Sequence, residues 1–514
     1  MHPTRPTRPL LLAAVLPAVA VALVATSASA QSTYVFEGND SFVYTNPNTW
    51  LVNGDTPATA PTLSDDVVID STSVGNTFNT LLLSSSQANE GNDLTVTGRT
   101  ITLDGGNSSL LLDGNFSVNG SASLTTRDLS ADVFSGVFDV TDATMRMLDS
   151  EIFTNSLFVG SGALLDIGLT TGFGSSVLPT GATVGSGAIV NVNTGTLAVN
   201  RDQGSFLGIS GTLNVGANGA VVAENTRVNP TGTANIFGTF TAGRSAAFDG
   251  ITLINGGSVL ADDVNGGNVE IGGSVNVINA GQFSSVSPVV VSGQLTTDST
   301  SSFSAFTLNV LDGGSATLTG PYAVEQDLII DAGGTAALGG GGNLSNALLD
   351  NSGTVSFGNG FDVPTLLTRA GSRTEIGLDS NIPATVTTDF LGASGTFAFD
   401  LFDASLSDQI ATTADDAFFI DGATLELDVS NLTDGTGSIF TLLDNGGTSA
   451  IDGTFANVGE GETFTVGQYQ FVATYMGGDG NDFQIQVLSV IPEPASVGLL
   501  GVAAGGLLLR RRRD

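Results

Sequence analysis

Gly211-Thr-Leu-Asn-Val215 is followed 21 residues later by Gly232-Thr-Ala-Asn-Ile236, and Gly273-Ser-Val-Asn-Val277 repeats the pattern. Each is a turn-forming glycine followed by apolar side chains two apart, the period of a strand with one buried face. The same unit reads as Gly195-Thr-Leu-Ala-Val199, Gly314-Ser-Ala-Thr-Leu318, Gly334-Thr-Ala-Ala-Leu338 and Gly353-Thr-Val-Ser-Phe357. From Gly273 the steps to Gly293, Gly314, Gly334 and Gly353 are 20, 21, 20 and 19 residues, whereas Gly162 to Gly187 is 25.

A period near 20 with short strands is what one coil of a solenoid requires. A single coil cannot bury its apolar positions, but stacking at about 4.8 Å places like above like and pairs the backbone between coils. A propeller blade would need about 40–50 residues and four strands. The sequence therefore predicts an all-β chain, a parallel β-solenoid (β-helix), with roughly thirteen coils over residues 100–365 and a length of about 60 Å. Loose intervals fit, because extra residues can loop outward. The expected divisions are 1–30, a signal peptide; 31–100, an N-terminal β cap and first coils; 101–365, solenoid repeats; 366–490, a closing β region; and 491–514, a tail.

Composition excludes much chemistry. The only His is His2, and Cys and Lys are absent. Imidazole bases, thiolate nucleophiles, lysine Schiff bases, Cys/His zinc sites and disulfides are thus unavailable to the body. Residues 31–490 hold eight basic and 48 acidic residues, a body near −40 that repels nucleic acid and anionic lipid and attracts divalent cations or a cationic matrix. With 41% apolar and 12% charged residues, the chain is too hydrophobic for a disordered acidic tail.

The two ends carry addresses. Arg5 and Arg8 precede an apolar stretch from Leu10 to Ala25, and Ala28-Ser29-Ala30 supplies a small-x-small cleavage pattern before Gln31, which predicts a cleaved signal helix. At the other end Pro492-Glu493-Pro494 is held extended by its prolines. Fifteen small or apolar residues from Ala495 to Leu509 follow, and then Arg510, Arg511, Arg512 and Arg513, a stop-transfer signal. As a helix the apolar run spans about 22 Å, short of the ~30 Å hydrocarbon core, so a single membrane helix there would rely on snorkelling arginines and local thinning. This order resembles the PEP-CTERM sorting tail of exported bacterial proteins. The resemblance implies signal peptidase and an exosortase-like processing enzyme as partners, and transient membrane anchoring. Gly501-Val-Ala-Ala-Gly505 has the spacing of helix-pairing faces, although small residues are usual in such tails.

Two further stretches resemble autotransporter-passenger β-helices. Trp50, Pro57, Pro61 and Asp65-Asp66-Val67-Val68-Ile69 resemble the opening of such bodies, and imply a cap over the first coil's edge. Asp408-Gln409-Ile410, Gly422-Ala-Thr-Leu-Glu-Leu427, Ile439-Phe-Thr-Leu-Leu443, Ile451-Asp-Gly-Thr-Phe455 and Tyr475-Met-Gly-Gly-Asp-Gly-Asn-Asp482 resemble the closing β region. An autotransporter's membrane barrel needs a dozen or so alternating strands. About 35 residues follow Gly480 and they carry the sorting tail, so self-translocation is not expected.

Candidate sites are few. Gly477-Gly478-Asp479-Gly480-Asn481-Asp482 reads like one calcium-binding nonapeptide, with Asp479 and Asp482 as ligands. It stands as a single copy with Phe483 misplaced, so a tight turn is the competing reading. Asp65-Asp66, Asp262-Asp263 and Asp415-Asp416 are carboxylate pairs of the kind glycosidases use. Adjacent strand residues point to opposite faces, however, and no basic residue adjoins any of them. The sequence thus predicts no cofactor and no catalytic residue. It predicts an exported structural protein of the cell surface or extracellular matrix, with an adhesin or carbohydrate-binding role, possible through contact with extracellular polysaccharide, as the alternative.

Overall fold

A computed structural model describes residues 32–491, apart from 37–43, 45, 53–54, 71–79, 84–88, 169–174, 200–204, 262–268, 340, 345, 379–381, 413, 416 and 434. The chain is a parallel β-solenoid of about 14 turns, and the described residues hold only two single 3-10 turns, Pro47–Thr49 and Asp403–Ser405, besides strands and loops. At about 4.8 Å per turn the stack is roughly 65 Å long.

Each coil has three faces. Phe206–Ile209 lies on the first, Thr212–Val215 on the second, and residues 220–223 of Ala220–Val228 on the third. That last strand does not stop. It shifts register between Ala223 and Asn225, turns the corner, and continues as the first-face strand of the next coil. Thr239–Phe248, Ser302–Val310 and Tyr322–Ile330 run across the same corner. Between the paired residues Ala305 and Thr307 the single Phe306 faces two residues of the next coil, Glu325 and Gln326, so the ladder is broken there and Phe306 is left exposed at the corner.

The corner from first to second face explains the glycine signature. A Cβ on Gly293 would lie 2.1 Å from the carbonyl oxygen of Gly273, and one on Gly353 would lie 2.3 Å from that of Gly334. Neither glycine has a left-handed φ. What demands glycine is the closeness of the coil below, whose corner carbonyl accepts the next N–H, as in Gln294 N to Gly273 O at 2.7 Å and Thr354 N to Gly334 O at 3.0 Å. Second-face strands stay in register: Leu213 sits over Val190 and under Ala234, and Val215 over Val192 and under Ile236.

Alternation then sorts the side chains. Leu213, Val215, Val275 and Val277 are wholly buried, while the residues between them face outward. Most large aromatics go inside: Phe116 stacks on Phe138 at 5.2 Å, and Phe283 sits 6.1 Å from Phe248 and 5.6 Å from Phe303. Outside, Asn235 donates to Asn214, Asn214 to Asn191, and Asn191 to Asp166, at 2.7, 2.7 and 2.6 Å. Arg146 approaches the same carboxylate at 3.6 Å. The Asn of each Gly-Thr-x-Asn unit is therefore one rung of a polar ladder.

Both ends are covered. Thr33–Phe36 lies parallel on Asp66–Ile69 and antiparallel to Trp50–Leu51. Trp50 is fully buried, 5.8 Å from Phe36 and 5.2 Å from Tyr44, and its Nε1 donates to the Tyr44 carbonyl at 2.7 Å. The Arg99 guanidinium lies 5.0 Å over the Phe36 ring. Parallel stacking runs on past residue 365, into the stretch expected to close the fold, until Phe418–Asp421 pairs with Asp452–Thr454. Only then does the third face turn antiparallel, where Ile439–Asn445 pairs with Asp482–Val490, that strand with Tyr469–Gly477, and that one with Thr463–Val466. The last second-face strand, Thr424–Asn431, is sealed by Asn457, whose Oδ1 accepts from Leu425 N at 2.9 Å while its Nδ2 donates to Leu425 O at 2.8 Å.

Candidate functional site

The same in-register stacking builds one chemically distinctive hollow near the C-terminal end. Arg373–Ile376, Thr396–Phe402 and Thr424–Asn431 follow one another on the second face, so Glu375, Ala398 and Glu426 fall in one outward column and Asp400 and Asp428 in the next. Ala398 has only a methyl to fill its place in the column. Arg373 crosses that gap, bonding Glu375 at 3.1 Å and, on the far side, Glu426. The result is a cavity of about 450 Å³ lined by Arg373, Glu375, Leu378, Asp400, Glu426 and Asp428, among others.

Its acids are unequal. Burial, then the charges of Asp428 and Glu375, push Asp400 up to about 6. Beneath it, Asp408 is fully buried. The 3-10 turn Asp403–Ser405, with Ser405 at φ 63°, folds Leu406–Ser407 back antiparallel on residues 401–402, and this places Asp408 under Asp400. Its two carboxylate oxygens accept from Ala384 N and Asp400 N, both at 2.8 Å. Burial outweighs those donors and raises Asp408 to about 7. The hollow thus sets a carboxyl of raised proton affinity, Asp400, above the buried Asp408 and beside glutamates tied to an arginine. Such an arrangement can move protons or attract an amine. A second acidic hollow, of about 360 Å³, is lined by Asp128, Asp149, Ser150, Glu151 and Ser176.

Among the described residues, the carboxylates singled out in the sequence do not converge. Asp65 accepts from Thr62 N at 3.0 Å and Thr62 Oγ1 at 2.7 Å, closing a turn, while Asp66 takes the Asn92 carboxamide at 2.9 Å. Asp415 ties two coils by accepting from Thr448 N and Oγ1 at 2.5 and 2.9 Å, and those donors hold it below the usual carboxylate range. Asp262, Asp263 and Asp416 lie outside the described residues.

Gly477 pairs with Asp482 across the turn joining the last two strands, with Gly480 N donating to Gly477 O at 2.7 Å. Gly478 and Gly480 take φ of 54° and 115°, which glycine adopts without penalty. Asp482 faces inward and accepts from Asn445 N at 2.9 Å, and burial pushes its carboxyl up. Among the described residues no three His, Cys, Asp or Glu side chains gather closely enough to hold a metal ion.

The terminal signals, Ala28, Ala30 and Gln31 at one end and Pro492, Glu493, Pro494 and Arg510 to Arg513 at the other, also lie outside the described residues. Among those described, no helix is long and apolar enough to cross a membrane. Comparison with known protein families finds no family model that matches this chain, and a search of curated proteins finds no relative.

Proposed function

We propose that this chain is an exported, non-enzymatic structural protein of the cell surface or extracellular matrix, delivered by its N-terminal signal and sorted through its Pro492-Glu493-Pro494 tail. The observation that carries the reading is the uninterrupted solenoid, whose side chains are spent on stacking. Aromatics fill the interior, Asn rungs knit the outside, and the carboxylates of the sequence pairs, where described, close turns or tie coils together. A rigid anionic rod of this kind suits a spacer or matrix element that recruits cations.

Mass spectrometry of the mature protein tests it. Gln31 at the N-terminus and no peptide containing Arg510 are expected, and an intact tail on exported material would refute the processing step. Cleavage of a polysaccharide that is lost in Asp400→Asn or Glu426→Gln would overturn the non-enzymatic part.

An adhesin is the second reading. Phe390 and Phe419 pack at 5.3 Å on the outside of the first face, with Phe419 exposed, a surface on which a sugar ring could stack. Of the other exposed phenylalanines, Phe158 and Phe206 lie on the same face but many coils away, and Phe237 and Phe306 sit at corners, so the pair stands apart from them. Glycan-array binding abolished by Phe419→Ser would favour this role.

A further inference from the structure

The C-terminal end treats two of its strand edges differently. Thr424–Asn431 is sealed by the Asn457 carboxamide and fenced by the exposed Glu426 and Asp428. Such devices keep sheet edges from pairing. Thr463–Val466, in contrast, ends its seven-stranded sheet, pairing only with Tyr469–Gly477. Its sequence, Thr-Phe-Thr-Val, carries no charge, proline or bulge and is made wholly of strong strand formers. The strand is firmly based, because Phe464 stacks on Phe471 at 5.4 Å and Phe464 and Val466 pack on the core, leaving Thr463 and Thr465 exposed.

We propose that this edge pairs antiparallel with the same edge of a second copy, making a two-fold symmetric dimer through the C-terminal ends. Side-chain direction fixes the register. A two-fold axis normal to the sheet keeps both core-facing sides together, so core-facing residues oppose core-facing ones. Centring on Thr465 sets Thr465 against Thr465, Phe464 against Val466 of the second copy, and Thr463 against Gly467. Threonine pairs and aromatic–β-branched pairs are favourable cross-strand neighbours. Gly467 and Gln468 turn back into Tyr469, so Glu462 lies beyond the paired residues and no like charges face each other across the joint. The sequence is self-complementary in this register, which is why the second copy is the occupant. Repulsion between the acidic bodies opposes the joint, and salt relieves it.

The test uses the full chain in mild detergent, by sedimentation velocity and oxidative cross-linking. A dimer is expected at high micromolar concentration, strengthened by about 0.5 M salt as charge repulsion is screened. Thr465→Asp sets two carboxylates directly opposite one another, and weakens dimerisation by at least about tenfold with an unchanged thermal midpoint. Because the chain has no cysteine, Thr465→Cys forms a covalent dimer on mild oxidation, whereas Thr463→Cys, facing glycine, does so far more slowly. A chain that stays monomeric in high salt overturns the proposal. So does a dimer indifferent to Thr465→Asp, or equal cross-linking by the two cysteine variants.

Discussion

Gly293→Ala puts the stacking argument to its hardest test. The added methyl would sit 2.1 Å from Gly273 O, 2.6 Å from Gly272 O and 2.7 Å from Gly272 C, all backbone atoms that no rotamer change can move. Relief requires the two coils to separate by about 1 Å at that corner, which costs on the order of 1–3 kcal/mol as overpacking. The Gln294 N to Gly273 O bond at 2.7 Å would stretch, at about 1 kcal/mol more. Against this, replacing glycine stiffens the unfolded chain and returns about 0.4–1 kcal/mol. The net expectation is a loss of about 1–3.5 kcal/mol. Gly243→Ala is the control: nothing lies within 4 Å of its new Cβ and its φ is not left-handed. It should be neutral or stabilising by up to about 1 kcal/mol. Urea unfolding followed by far-ultraviolet circular dichroism measures both. If Gly293→Ala matches the parent chain within about 0.5 kcal/mol, or Gly243→Ala proves equally harmful, then glycine is not there to admit the coil below.

Three other outcomes follow from the same structure. Since Asp400 and Asp408 are raised to about 6 and about 7, the folded chain holds more protons than the unfolded one between about pH 4 and 7. Stability of the C-terminal coils is therefore greatest at the acid side of that window and falls as pH rises through it. Hydrogen exchange of residues 385–412 should show this, and Asp408→Asn should flatten the slope. Asn457→Ala removes both bonds to Leu425 and should cost about 1–2 kcal/mol while increasing light scattering on heating, because it opens an edge. Trp50→Ala empties the N-terminal aromatic cluster at a cost of about 3–5 kcal/mol, which proteolysis of residues 32–70 would report before the middle coils respond.

Much of the fold was legible because the stack imposes one demand repeatedly. Gly232, Gly273, Gly314, Gly334 and Gly353 all mark one corner, and the apolar residues two and four places on from each face inward on one side of the rod. Gly195 belongs to the third face instead, ahead of Thr196–Val199, a difference the pattern alone does not carry. The bent strands were opaque for a related reason. In Ala220–Val228 the alternation breaks at the bulge, so one strand serving two faces reads as two weak ones. The acidic hollow was hidden by distance: Glu375 and Glu426 are 51 residues apart. Yet each occupies the third place of its four-residue segment, Arg373-Thr-Glu-Ile376 and Thr424-Leu-Glu-Leu427, the place held by Asn214 and Asn235 in theirs. Aligning segments, rather than looking for adjacent acids, would have brought these glutamates together. Asp408 had no such signal, since its burial depends on the fold-back at residues 403–407.

The hydrogen bonds between coils run along the rod, so a pull on its two ends loads the joints in series and the weakest yields first. Among the described residues the thinnest third-face joints hold only two paired residues each: Tyr322–Ile330 with Gly342–Asn343, Ser176–Val184 with Thr196–Val199, and Phe361–Asp362 with Thr385–Thr387. A coil of about 20 residues occupies roughly 4.8 Å when stacked but can reach on the order of 65–70 Å when drawn out straight. Each yielding turn would therefore lengthen the tether more than tenfold locally while leaving its neighbours intact, so under tension the molecule pays out slack one loop at a time instead of snapping.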